Sequence, residues 1–423
     1  MKVFAIYFIC ILTLFSIFLR FYRITEPGYY YFDEVYHAVT AKAYADNNPS
    51  AYDPFAPPPK EGTAYDWLHP PLAKLIQAAS IKVFGDTPFG WRFPSVVFGT
   101  AIIPATFVLA FILFGPITAV FASTVIAFEN LTFVMSRITM NDVFLVFFTV
   151  SSLISFSVYL KSLKTRYLIL TAVLLGFSLA SKWTGAYAIL LIFIASLLFQ
   201  IKGRRVHLNL ISLVIIPIFI YLFSYGQFWI QGHNARDFIN LHKQIWWYQN
   251  REDLQHSYGT TPLYCVPLGL SGPKEWCPWI LDIRGVYFSF DDYGNGSAGY
   301  IYALGNPLIF WAGVISVSYL LGKYFDERNK KLLLIIAAYL VFWIPWIFSP
   351  RIMFLYHYLP SIPFLAISLG VALGDIFKTK LKLISIVVLV LFIVTFFYFY
   401  PISSGWPIPT GDIEKYMWIV KWR

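Results

Sequence analysis

The sequence predicts an all-α polytopic membrane protein, and three observations predict it. Apolar runs of roughly 20 residues recur from end to end, each long enough to cross a hydrocarbon core. Charged residues make up only 13% of the 423 positions and the mean hydropathy is +0.64, whereas a soluble domain carries about a quarter charged residues. Backbone groups in lipid must be satisfied within their own segment, so uniformly apolar runs of this length are helices and not barrel strands.

The first run, Val3 to Leu19, is bounded by Lys2 on one side and by Arg20 and Arg23 on the other. Its length, with no small-residue cleavage signal after it, reads as a retained helix and not a signal peptide. With Lys2 in the cytoplasm the chain resolves into about eleven spans, near residues 3–22, 92–113, 117–135, 142–160, 167–181, 184–200, 207–225, 301–321, 332–348, 355–374 and 383–400. The whole chain, 1–423, is then one transmembrane domain. Two long loops, about 23–91 and 226–300, and a tail over about 401–423 face outward.

The formal net charge is +10. Many of its cations sit in short loops: Lys161, Lys164 and Arg166; Lys202, Arg204 and Arg205; Arg328, Lys330 and Lys331; Lys378, Lys380 and Lys382. They alternate with loops poorer in Lys and Arg, the positive-inside pattern. The basic balance therefore reports topology and contact with anionic lipid heads. A nucleic-acid partner would need these charges on one soluble face, and none is indicated.

Both outer loops are rich in Asp, His, Trp, Tyr and Pro. In the first, Leu72, Leu75, Ile76, Ala79 and Val83 recur at helical spacing opposite Lys74 and Gln77, after Pro70 and Pro71. That is the pattern of an amphipathic helix lying in the membrane interface. A second short helix is expected after Asp33 and Glu34. In the second loop, Cys265 and Cys277 share an outer compartment that permits a disulfide, worth roughly 2–3 kcal/mol through loop closure; two free thiols are the alternative. No Cys/His spacing suggests zinc.

Ionisable residues carry the most information, because charge at membrane depth is expensive. They collect where spans meet the outer surface: Asp33 and Glu34 in YYYFDEVYHA, His69 in WLHPPLAK, Arg92 in FGWRFPS, Glu129, Arg137 and Asp142 in FENLTFVMSRITMNDVF, Lys182 in LASKWTGAY, and Arg351 and His357 in SPRIMFLYHYLP. Each has a plain structural explanation. Asp33 and Glu34 suit a helix N-terminus, Arg137 and Asp142 a turn-spanning ion pair, and Lys182 and Arg351 snorkelling anchors. Together they also suit chemistry. A carboxylate can take a proton from a hydroxyl nucleophile, and neighbouring cations can hold a lipid phosphate as it leaves. The constellation points to glycosyl transfer from a polyprenyl-phosphate sugar.

At these residues the sequence resembles the protein O-mannosyltransferases, the dolichyl- or polyprenyl-phosphate-mannose–protein mannosyltransferases of the GT-C superfamily. FDEVYHA is similar to that family's acidic pair, HPPLAKLI to its HPPLGK segment, and GWRFPS to its GWR stretch. The run from Glu129 through SRITMND, the SKWTG segment, IYALGNPLIFW and RIMFLYHYLPSIPF continue the likeness in order along nearly the whole chain. The second outer loop has no room for the β-trefoil MIR domain of eukaryotic members, which implies a bacterial or archaeal form. CPWILDIRGVYF keeps only part of the family's WPLLLR-type segment.

The resemblance implies that Asp33 is the base, deprotonating a Ser or Thr hydroxyl of an exported protein, with inversion at the sugar. It implies that Glu34 orients acceptor or base. Arg92, Arg137, Lys182 and Arg351 become candidates for the phosphate and for holding the carboxylates; Asp142, Glu129, His69 and His256 are further donor- or substrate-binding candidates. Because two cations can neutralise a lipid monophosphate, no metal or other cofactor is expected. The enzyme would be a multi-pass protein of the cell membrane with its site on the extracytoplasmic side. A sister transferase using another lipid-phosphate sugar, such as aminoarabinose, or a lipid or glycan acceptor is the alternative enzyme; a lipid transporter or flippase is the alternative of another class, disfavoured by midplane segments that are almost uniformly apolar.

Overall fold

The computed structural model describes residues 2–203, 208–251, 278–349 and 353–422. His256, Arg351, Cys265 and Cys277 lie outside them. In chain order the helices are α1 (Lys2–Phe21), α2 (Glu34–Ala45), α3 (Leu72–Phe84), α4 (Pro88–Phe114), α5 (Pro116–Ala127), α6 (Asn130–Met135), α7 (Asp142–Ser162) and α8 (Thr165–Ser181). Then come α9 (Gly185–Gly203), α10 (Ser212–Ser224), α11 (Gly226–Ile230) and α12 (Ala235–Gln249), strands β1 (Val286–Asp292) and β2 (Ser297–Ala303), and helices α13 (Pro307–Glu327), α14 (Lys330–Val341), α15 (Ile362–Phe377) and α16 (Lys382–Ser404), before strand β3 (Ile408–Pro409).

Among the described residues, six helices are long and apolar enough to cross a membrane: α1, α4, α7, α13, Leu355–Phe377 (a 3-10 run leading into α15) and α16. Four shorter apolar helices, Pro116–Ala127, Thr165–Ser181, Gly185–Leu198 and Ser212–Ser224, fall where further spans are expected. The segment expected at 117–135 is interrupted after Ala127, and the one expected at 301–321 begins only at Pro307. Large apolar side chains of the long helices face outward, among them Phe4, Ile11 and Leu14 on α1 and Leu383, Val390 and Val394 on α16. Such surfaces suit lipid as solvent.

Local chemistry sets the boundaries. Thr87 caps α4 through Gly90 N–H at 3.3 Å, with Pro88 in the first turn. Asn306 caps α13 and Asn329 caps α14, each side chain accepting an otherwise orphaned amide. The break between α8 and α9 falls at Lys182, whose backbone is extended (φ −159°, ψ 142°).

The chain divides into two compact units: Thr13–Gly115 with Ser136–Gln249, and Met1–Leu12 with Pro116–Met135 and Asn250–Arg423. In the first, α7 packs along α4 and α8, and α10 along α8. Gly99 lets α4 approach the turn after α6, since a Cβ there would meet Ser136 Cβ at 2.2 Å. In the second, α15 packs along α5 and α13. This unit also holds a three-stranded antiparallel sheet, in the order β1-β2-β3, pairing Val286 with Ala303 and Ala298 with Ile408. The sheet is an addition to the all-α expectation. Its core of Tyr300, Leu304, Phe399, Ile402, Ile408 and Trp422 ties the hairpin to the end of α16 and the C-terminal segment.

The helix expected after Pro70 and Pro71 is present as α3, and its apolar residues Leu72, Leu75 and Ile76 are half-exposed. Its polar residues point inward: Lys74 and Gln77 are fully buried.

Candidate active site

The first unit gathers its charged side chains around the start of α2. Asp33 is the residue before α2, but its side chain makes no cap hydrogen bond, so capping does not account for it. It is partly exposed. Desolvation raises its pKa to about 6; Asp66 and Asp142 add to the rise, while His37 and Lys182 oppose it. These influences place Asp33 among groups drawn from α2, the loop before α3, the start of α7 and the α8–α9 break.

Glu34, one residue on, is held differently. It is fully buried and receives Arg92 as a two-point fork, Nε to Oε1 at 2.9 Å and Nη2 to Oε2 at 2.8 Å. Thr139 N–H donates to the same carboxylate at 3.1 Å. The remaining Arg92 donors go to the carbonyls of Ile24 and Pro27, at 2.9 Å each, and Tyr29 at 3.0 Å. A guanidinium with every N–H engaged inside the protein has none left for a phosphate. Of the two roles expected of it, Arg92 takes that of holding a carboxylate and not the phosphate: it fixes Glu34 and the chain leaving α1. Glu34 in turn bolts α2 to α4 and the turn before α7.

Arg137 is also turned inward. Its guanidinium donates to the carbonyls of Leu19 (3.2 Å), Arg20 (2.6 Å), Tyr22 (2.8 Å) and Arg23 (3.3 Å), closing the C-terminal end of α1, where orphaned carbonyls favour a cation. That is a structural use, in place of the expected phosphate contact. Asp142 takes Lys182 as partner, Nζ to Oδ1 at 2.8 Å. The pair joins the first turn of α7 to the α8–α9 break, where the extended backbone lets Lys182 turn in.

His69 belongs to a cluster around Asp66 that the sequence reading did not anticipate. Its Nδ1 lies 2.9 Å from Asp66 Oδ1, Lys74 Nζ donates to Oδ2 at 2.9 Å and also to the Asp66 carbonyl, and His37 Nδ1 lies 2.9 Å from Oδ2 outside hydrogen-bond alignment. Burial alone would push the Asp66 carboxyl up, but His69, Lys74 and His37 hold it well below the ordinary carboxylate range. Burial pushes His69 down to about 4, against the pull of Asp66. The ligand atoms of His37, Asp66 and His69 lie within 4.8 Å of one another, close enough for a metal ion. The buried Lys74 ammonium already compensates Asp66, and a divalent ion would sit against it, so these residues fit a metal poorly. The available signal was an acid three residues before a histidine, in a segment with a lysine five residues further on.

Glu129 lies in the second unit. It is fully buried and accepts from Leu131 N–H (2.9 Å), Thr132 N–H and Oγ1 (2.6 Å each) and Asn306 N–H (3.2 Å). Every one of these contacts is to the start of α6 or α13. Glu129 is a double cap, which corrects its expected place among the substrate-binding residues.

The comparisons with known proteins agree on what this arrangement belongs to. The family model for dolichyl-phosphate-mannose-protein mannosyltransferase matches residues 10–231, and that for the C-terminal four-transmembrane region of protein O-mannosyltransferase matches 234–422. A polyprenol-phosphate-mannose–protein mannosyltransferase of Corynebacterium glutamicum is 26% identical, over 84% of this chain and 81% of its own length. One from Mycobacterium tuberculosis is 24% identical, over 96% and 89%. In fold, the chain is similar to the Saccharomyces cerevisiae protein O-mannosyltransferase Pmt1-Pmt2 complex, with a TM-score of 0.75, 15% identity, and 99% of this chain and 92% of that one covered. ArnT from Cupriavidus metallidurans matches with a TM-score of 0.57 and 12% identity, over 88% of this chain and 60% of that one. By the two family models, which between them span almost its whole length, the chain is a membrane glycosyltransferase of the dolichyl-phosphate-mannose–protein mannosyltransferase family.

Proposed function

We propose that this enzyme moves mannose from polyprenyl-phosphate mannose to Ser or Thr hydroxyls of exported proteins, on the extracytoplasmic face and with inversion. The observation that carries the reading is Asp33: a partly exposed carboxylate with a pKa of about 6, beside the Lys182–Asp142 pair and the Asp66 cluster. At neutral pH it is ionised yet basic enough to accept a proton. As the acceptor oxygen bonds to the anomeric carbon, its proton passes to Asp33. The bond from that carbon to the phosphate oxygen breaks, and the lipid leaves as a phosphate monoester. Attack opposite the leaving group inverts the centre.

With Arg92 and Arg137 engaged inside the protein, Lys182, which pairs with Asp142 and acts on Asp33, stays a candidate for the leaving phosphate, and Arg351 is a candidate by resemblance. Two cations match the charge of a lipid monophosphate, so the reading requires no metal, and chelation with EDTA is expected to leave turnover unchanged. The mannose donor and protein acceptor are those named for the Corynebacterium and Mycobacterium relatives. The aminoarabinose alternative has the weaker support, ArnT being the more distant of the two folds, and family membership sets the flippase aside. The test uses the purified full chain, labelled mannose on a polyprenyl phosphate, and a Ser/Thr peptide. Wild type transfers label. Asn at position 33 (Asp33→Asn) is expected to lower turnover by about two to four orders of magnitude without loss of donor binding. Retention of more than about a tenth of wild-type turnover would move the base elsewhere.

A further inference from the structure

The first unit holds a cleft of about 510 Å³ that the chemistry above does not use. It lies between the short 3-10 turn Pro49–Tyr52, with the residues after it, and one face of α12. Tyr52, Phe55 and Phe228 supply aromatic surface; Asn240, Lys243 and Gln244 supply polar groups. The floor is rigid, because Tyr44, Tyr52, Tyr225, Phe228, Leu241 and Ile245 form one buried cluster beneath it. Phe55, in contrast, is 78% exposed at the rim.

Asp53 and Asp237, which also line the cleft, accept from Phe55 N–H and Asn234 N–H, but the three polar side chains of α12 named above are unspent. Asn240, Lys243 and Gln244 fall on one helical face, at spacings of three and four residues. Among the described residues their side chains make no hydrogen bond or ion pair. Two carboxamides in a row, each a donor and an acceptor, match the alternating donors and acceptors of an extended polypeptide. The aromatic rings beside them suit its side chains.

Helix α12 also links this cleft to the base. Its far end carries Tyr248, which packs edge-on to Trp67 at 5.9 Å, next to Asp66. Tyr36, in the first turn of α2, is raised by burial and by both Asp33 and Tyr248. One wall therefore runs from the cleft to the neighbourhood of Asp33. From Asn240 to Tyr248 it covers about 12 Å at 1.5 Å per helical residue. An extended chain at about 3.3 Å per residue covers that and the step to Asp33 in about four to six residues.

We infer that this cleft is a docking site for the acceptor polypeptide, seating a segment about four to six residues from the hydroxyl that is glycosylated. The inference rests on the protein-acceptor reading above. It makes α12 a determinant of acceptor affinity, separate from donor binding and from the chemical step.

The test compares a tripeptide centred on Thr with peptides extended by eight residues on one side or the other. The full chain is used, as wild type, as the double variant Asn240→Ala/Gln244→Ala, and as Phe55→Ala. Asn240 and Phe55 are exposed and Gln244 is half-buried, so folding is not at stake. One extended peptide is expected to show a KM about tenfold below the tripeptide, the worth of one or two hydrogen bonds plus a ring contact. The double variant should remove that advantage while leaving tripeptide kcat/KM and donor KM unchanged. Equal KM for all peptides in wild type, retention of the advantage in the double variant, or an equal loss on short and long peptides would each overturn the docking site. Recovery of the advantage only with pre-mannosylated peptides would assign the cleft to sugar and overturn it equally. If wild type glycosylates no peptide at all, the protein-acceptor reading itself fails and takes this one with it.

Discussion

Asp33 and Glu34 are neighbours in sequence with opposite fates, and the difference lies in what surrounds each carboxylate. Glu34 is spent on Arg92 and backbone amides; Asp33 keeps a partly exposed carboxylate of raised pKa. An enzyme limited by an Asp33 base should lose kcat/KM below about pH 6, tenfold per pH unit once the base is mostly protonated. Lys182 pulls that pKa down, and its loss would also leave Asp142 without its partner. Lys182→Met should therefore move the acid limb to higher pH, and an unmoved limb would detach Lys182 from Asp33. The same shift has a stability consequence. A folded pKa raised from 3.8 to about 6 stabilises the fold fully below pH 3.8 and ceases to do so as pH rises through 6. At pH 7 the ionised group is thus a burden, and Asp33→Asn should melt no lower than wild type. Arg92 behaves in reverse. Arg92→Ala strands a buried Glu34, a change that typically costs about 3–5 kcal/mol, so the measurement that responds is thermal stability and not donor KM.

At the scale of elements, α4 shows how packing sets up the site. Its Gly99 touches the turn that delivers Thr139 N–H to Glu34, and the added methyl of Gly99→Ala would overlap Ser136 at 2.2 Å. Backbone must shift to relieve it, so the variant should lose stability by about 1–3 kcal/mol, as overpacking does, and turnover should fall with it; a thermal scan and a transfer assay that both match wild type would refute the contact. How much was legible in the sequence depends on the kind of signal. The long apolar helices were, because length and hydropathy are local properties. Of the side chains gathered around the start of α2, the sequence singled out Asp33, Glu34, His69, Arg92, Asp142 and Lys182 but not Asp66 or His37, and it did not show their partners: nothing in GWRFPS says that all the donors of Arg92 turn inward, since that follows from where the chain after α1 passes. Lys74 read as the polar side of an amphipathic helix, yet that side packs into the protein and the apolar side, with Leu72, Leu75 and Ile76, is the half-exposed one. The hairpin went unread although DDYGNGS between two aromatic alternations carries its turn, with Gly294 and Gly296 at φ of 71° and 77°; a chain so rich in apolar helices hides a short strand pattern.

For the whole molecule the testable quantity is orientation, and the first unit alone fixes what must agree. Helix α7 has 21 residues, about 31 Å at 1.5 Å per residue, enough to cross the hydrocarbon core. Asp142 stands at its first residue and Lys164 just past its last. Helix α8 returns from Thr165 to Ser181 and delivers Lys182 back to Asp142 at 2.8 Å. Asp142, Lys182 and Asp33 therefore share one membrane face, and Lys161, Lys164 and Arg166 occupy the other. Cytoplasmic loops attract Lys and Arg, so a reporter fused after Lys164 should read cytoplasmic, and one inserted at Asp53, in the loop that follows Asp33, should read external. The same rule applied to the basic turn between α15 and α16 predicts a cytoplasmic reading at Lys380 and an external one at Gly411, across the 23 residues of α16. An external reading at Lys164 would place Asp33 in the cytoplasm. Exported proteins would then meet the enzyme only before export, and the extracytoplasmic acceptor site would have to be abandoned even if the transfer chemistry held.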